Sequence, residues 1–154
     1  MRSGGRNATD TLPAPTSAVP TSGAVRIRVR YCECDPMNVA HHAAYVPWLE
    51  MGRTELLRAA GVTYAQMEAA GVFLVITRLD CRYHAPARYD DLLEVRTTVV
   101  RATRVKIEHA YEVVRIDEAT GAPGRVAVSA SSTLACVDAH GKVRELPSWL
   151  AGSP

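Results

Sequence analysis

The sequence lacks the long apolar run a membrane span needs: no stretch of about 18 apolar residues occurs, although 47% of its 154 residues are hydrophobic. It also lacks a surplus of either charge. Eighteen Lys and Arg against 16 Asp and Glu leave a net charge of +2, too little to argue for nucleic acid. Among the four cysteines, Cys32, Cys34, Cys81 and Cys136, there is no CxxC pair, and a chain of this length folds without covalent staples. They read as reduced thiols of a cytoplasmic protein. Cys32 and Cys34 with His41 and His42 match no common zinc spacing. No internal repeat is visible, and the length suggests one domain.

Residues 1–23 lack apolar periodicity and the apolar centre of a secretory signal. Their Pro, Ser, Thr, Ala and Gly cannot bury enough surface to offset ordering entropy. The expectation is a flexible tail over 1–23 and a folded domain over 24–150.

The folded part changes period along its length. Val25, Ile27, Val29 and Tyr31 alternate with Arg26, Arg28 and Arg30, which predicts a half-buried strand over 24–34. A turn-rich DPMNVAHH follows at 35–42. Tyr45, Trp48, Leu49, Gly52, Leu56 and Ala60 then share one helical face. Pro47 is tolerated only in a first turn, so that helix begins within a few residues of Ala43, and Gly61 stops it. Gly52 would let a sheet approach closely. Thr63 and Gln66 have capping-box spacing for a short helix over 63–70. Four alternating segments follow, over 73–83, 93–99, 105–113 and 126–136, with DEATGAPG as a clear turn between the last two. Short connections imply antiparallel pairing. The class is α+β, one sheet burying one long helix.

The chemistry-bearing stretch is YCECDPMNVAHHAAYVPWLEMGR, residues 31–53. Asp35 precedes a helix start, where backbone N–H groups carry partial positive charge. A thioester carbonyl placed there would be polarised as in an oxyanion hole, and a carboxylate in reach could activate water or attack the carbonyl. That chemistry needs no metal or other cofactor. Plainer roles also fit. Asp35 before Pro36 suits a turn cap, His42 a helix-start hydrogen bond, Tyr45 and Trp48 the core, and Glu50 with Arg53 a surface ion pair.

The same stretch resembles the signature of the hotdog-fold acyl-CoA thioesterases, in particular the 4-hydroxybenzoyl-CoA and Tol–Pal-associated group. Tyr31, Glu33, Asp35, His42, Tyr45, Glu50 and Arg53 match that pattern. Tyr83, Pro86, Ala87, Asp90, Asp91 and Leu93 match a later one, and VDAHGKVRELP resembles the closing hairpin. The resemblance spans about residues 24–150. It implies a five-stranded antiparallel sheet wrapped round the long helix, and a homodimer or homotetramer with sites at subunit interfaces. It also implies Asp35 as catalytic carboxylate, His42 orienting thioester or water, and Tyr31 and Tyr45 lining the site. The family usually has glycine where this chain has Asn38, a residue that tolerates a left-handed backbone.

Two other readings stand beside hydrolysis: a hydratase or dehydratase acting on acyl-CoA, and an acyl-binding domain without turnover. Coenzyme phosphates call for basic side chains. Arg101, Arg104 and Lys106 at a hairpin, with Arg88, are the candidates. His109, among apolar residues, reads as a core histidine; His84 and His140 read as loop residues.

Overall fold

The computed structural model describes residues 12–151. Strands β1 (Ser22–Arg28), β2 (Phe73–Tyr83), β3 (Leu92–Ala102), β4 (Lys106–Ile116) and β5 (Pro123–Val137) form one sheet in the order β1-β3-β4-β5-β2. Every neighbouring pair is antiparallel. Between β1 and β2 the chain forms α1 (Tyr45–Ala59) and α2 (Tyr64–Ala69). The expected α+β arrangement is what the chain adopts.

Local chemistry sets the helix limits. Pro47 is the third residue of α1, where no intrahelical partner for an N–H is lost. Gly61 ends the segment at φ 82. Thr63 and Gln66 close the capping box of α2 reciprocally. α1 packs across β1 and β3. A Cβ on Gly52 would collide with Thr97 Oγ1 and stand 3.2 Å from Val95 Cγ1, so the missing side chain is what lets α1 lie close on β3.

Burial divides into two apolar clusters. Trp48, Leu49, Val95 and Val113 belong to the one near the start of α1. Leu56, Leu57, Ile107 and Leu134 belong to the one near its end. Among the described residues, four buried polar ones, Arg53, Thr97, His109 and Ser132, belong to neither. Arg53 donates to Tyr64 Oη at 2.6 Å and to Glu50 Oε2 at 2.9 Å. Tyr111 Oη and Ser132 Oγ are 2.7 Å apart. Thr97 Oγ1 and His109 Nδ1 have no hydrogen-bond partner among the described residues. Burial, with the charge of Arg53 adding to it, holds His109 down to about 4. It is a core histidine, as its apolar neighbours in sequence predict.

Two expectations need correction. The strand expected over 24–34 ends at Arg28, because its partner β3 begins at Leu92, opposite Arg28. Beyond that point the chain turns into a single 3-10 turn, Tyr31–Glu33. The alternation continues in sequence, but Tyr31 is 80% exposed. The tail boundary at 23 also moves. Ser22 and Gly23 pair with Thr98 and Thr97, and Val99 N donates to Thr21 O at 2.7 Å. Thr16 N donates to Ala60 O at 2.8 Å, while Leu12 and Val19 pack against the second cluster. Two spaced apolar residues suffice because the end of α1 leaves apolar surface for them to cover. Residues 1–11 of the expected tail lie outside the described residues.

Candidate active site

Asp35 opens a tight turn. Its N–H donates to Val39 O at 2.9 Å, its carbonyl accepts Asn38 N–H at 2.8 Å, and an isolated bridge pairs Cys34 with Ala40. Pro36 supplies the fixed φ favoured at the second position of such a turn. Asn38 sits at φ 60, the left-handed conformation that glycine usually fills and asparagine tolerates. The carboxylate is oriented by its own turn: Oδ1 accepts Met37 N–H at 2.9 Å. Oδ2 accepts no hydrogen bond among the described residues, so one oxygen is held and the other is available.

Neighbouring segments anchor this turn. Ala40 N donates to Ala87 O at 2.8 Å, and Arg88 Nη1 donates to Asn38 O at 3.3 Å. Glu33 ties the turn to α1. Its carbonyl accepts His41 N–H at 2.8 Å, and its carboxylate accepts Trp48 Nε1–H at 3.0 Å and Arg30 Nη2–H at 2.7 Å. Burial works against the charge of Glu33, but the bonds from Arg30 and Trp48 prevail and hold its carboxyl below the usual range.

A single 3-10 turn, His42–Ala44, leads into α1. His41 Nδ1 accepts Ala43 N–H at 3.1 Å, and His41 O accepts Ala44 N–H at 2.8 Å. Two N–H groups expected to stand free are therefore occupied by His41. His42 holds no such duty through its ring; its carbonyl accepts Tyr83 Oη–H at 3.0 Å.

Asp35, His42 and Tyr45 meet in one open cleft of about 350 Å³, lined also by Tyr83, His84 and Pro86. Tyr45 is buried, edge-on to Trp48 at 4.8 Å and to Tyr83 at 5.5 Å between ring centroids. Burial pushes both tyrosine hydroxyls up, so at neutral pH they are donors. His84 Nε2 lies 2.7 Å from Ser129 Oγ. Tyr83 and His84 are the cleft residues that sequence reasoning missed. The signal for Tyr83 was present: it ends the alternating run of β2, where a large side chain clears the sheet. His84 carries none, since a loop histidine has no periodicity.

Other expected site residues lie elsewhere. Tyr31 stands outside this cleft, edge-on to Tyr89 at 5.7 Å. Arg101, Arg104 and Lys106 flank the β3–β4 turn. Within one protomer that turn lies at the far end of an 11-residue strand from Leu92, roughly 35 Å away at ~3.3 Å per residue. Arg104 pairs with Glu145 at 3.4 Å. Of the four basic candidates, Arg88 alone adjoins the cleft.

Comparison with known proteins decides the family. Residues 29–153 match the model of the thioesterase-like superfamily. The chain belongs to that superfamily. This superfamily member is 32% identical over 91 residues to the acyl-CoA thioester hydrolase YbgC of Escherichia coli, covering 59% of this chain and 68% of that one. Its fold matches a protein from Thermus thermophilus, TT1821, at TM-score 0.72 and 32% identity, covering 81% and 91% of the two chains. The DHNA-CoA thioesterase from Staphylococcus aureus matches at TM-score 0.71 and 26% identity, covering 81% and 79%. The five-stranded antiparallel sheet and long helix of this thioesterase-superfamily chain are thus the hotdog fold, and it is a hydrolase.

Proposed function

We propose that the protein hydrolyses an acyl-coenzyme A thioester to the free acid and the coenzyme thiol, with Asp35 as the reacting carboxylate. The observation that carries this reading is the meeting of Asp35, His42 and Tyr45 in one cleft at the start of α1. The free Asp35 oxygen takes a proton from water as the water attacks the thioester carbonyl, or attacks that carbon itself. Either route forms a tetrahedral oxyanion, which the positive end of α1 favours. Collapse breaks the carbon–sulfur bond, and the thiolate leaves and takes up a proton. In the second route water then cleaves the acyl–Asp35 anhydride. His42 orients the thioester or the water.

The active assembly in this reading is a homodimer or higher homo-oligomer. β1 guards one sheet edge with charge, pairing Arg26 with Glu94 and Arg28 with Glu118. β2 leaves the other edge open along 11 residues, with Val75 and Ile76 each more than 40% exposed. Such an edge favours pairing with a second copy about a two-fold axis. Steady-state thiol release from a panel of acyl-CoA thioesters tests the activity, and light scattering with gel filtration tests the assembly. Acyl-CoA consumed without thiol release supports a hydratase, and acyl-CoA bound without turnover supports a binding domain.

A further inference from the structure

Tyr83 reaches the cleft from the sheet and touches the turn at the start of α1. It is the last residue of β2, where it pairs with Val128. The residue after it is tied to β5, since His84 N donates to Ala127 O at 2.8 Å. The Tyr83 ring stands edge-on to Tyr45 at 5.5 Å between centroids. Its hydroxyl donates to His42 O at 3.0 Å. The carbonyl of His42 and the N–H of Ala43 belong to one planar peptide group. That N–H donates to His41 Nδ1 at 3.1 Å. One peptide is therefore held at both ends by side chains, from the sheet on one side and from the turn itself on the other. The His42 ring makes no hydrogen bond among the described residues. It lies against the His41 ring, with 4.0 Å between centroids. The direction of the His42 imidazole is thus set by the main chain that carries it and by the neighbour it lies against.

The Tyr83 hydroxyl can hold that carbonyl across the neutral range, because burial pushes its pKa up and keeps it protonated. Without the hydroxyl, the His42–Ala43 peptide keeps only the His41 bond and can turn about the single bonds on either side. We infer that Tyr83 is a positioning residue: by holding the His42–Ala43 peptide from the end of β2, it aims the His42 imidazole at the reacting thioester. Misplacing such a group costs rate more than affinity, since the ground-state contacts of the substrate remain. The inference rests on the thioesterase reading and names what orients its histidine.

The variant that tests it is Tyr83→Phe, which keeps the ring against Tyr45 and removes one donor. Steady-state thiol release is measured for the parent, Tyr83→Phe, His42→Ala and the pair together, with thermal melts as the folding control. The expected result is a melt near the parent's, an unchanged KM, and kcat lower by roughly tenfold, about the effect of one neutral hydrogen bond. In the His42→Ala background the same substitution should have little further effect on kcat. Full additivity in that cycle assigns the hydroxyl to the substrate directly, and an unchanged kcat leaves it no part in turnover. Either result overturns the inference. A carbon-13 label on the His42 carbonyl reads the bond without turnover, and its resonance should shift in Tyr83→Phe. A parent that releases no thiol ends the thioesterase reading, while this resonance still judges the contact: no shift shows that Tyr83 does not hold His42.

Discussion

Glu33 accepts a hydrogen bond from Trp48 Nε1 at 3.0 Å, and through it the turn that carries Asp35 is fastened to the first coils of α1. Trp48 is buried, so removing the acceptor strands an indole N–H. Glu33→Ala is expected to cost about 1–3 kcal/mol of stability and to lower turnover by loosening the turn, whereas Glu33→Gln retains an acceptor and recovers part of both. Thermal melts and thiol release on the two variants check this. Equal effects from Ala and Gln would show that the bond to Trp48 carries no weight.

Gly52→Ala should destabilise the protein. Its new Cβ meets Thr97 Oγ1, and overpacking of this kind costs about 1–3 kcal/mol, more than the roughly 1 kcal/mol that alanine contributes to helix propensity. Thr97→Ala in the same chain should restore part of the loss. A double-mutant cycle by denaturant unfolding reads the coupling, and strict additivity would contradict the contact.

Stability should fall as the solution is acidified from about pH 6.5 toward 4. His109 is held down to about 4 by burial and by Arg53, whereas in the unfolded chain it titrates near 6.5. Between those values the unfolded state binds the extra proton, so unfolding gains as pH falls. The loss is about 3 kcal/mol for this residue. The lowered carboxyls of Glu33 and Glu94 lose their contribution only below the ordinary carboxylate range. His109→Gln should therefore flatten the curve between pH 6.5 and 4.5. Chemical denaturation across that range measures it, and parallel curves for parent and variant would contradict the assignment.

Deleting residues through Gly23 should lower the melting temperature. It removes the Thr16–Ala60 and Thr21–Val99 bonds and the cover that Leu12 and Val19 give the second cluster. A deletion variant that melts with the parent would show those contacts to be worthless.

The fold was legible where one period ran unbroken. The helical face from Tyr45 to Ala60 and the four later strands lie where their patterns put them. The first strand misled because Tyr31 keeps the alternation after its partner strand has run out, and pairing depends on a residue 64 positions away, Leu92 opposite Arg28. Asp35 and His42 were readable as a pair because they sit close in sequence beside a helix start. Tyr83 ends β2 and His84 follows it, so both reach the cleft from a segment far along the chain from Asp35. No local pattern records such meetings.

The central claim is that the Asp35 carboxylate does the chemistry, and steady-state thiol release by Asp35→Asn tests it most directly. Asparagine keeps the shape and can cap the turn through Met37 N–H as aspartate does. It cannot take a proton from water and is a poor nucleophile. The expected result is an unchanged melt with kcat lower by about 10²–10⁴. A variant that melts like the parent and keeps more than about a tenth of its kcat, above what a lost base leaves, would show that Asp35 only caps a turn.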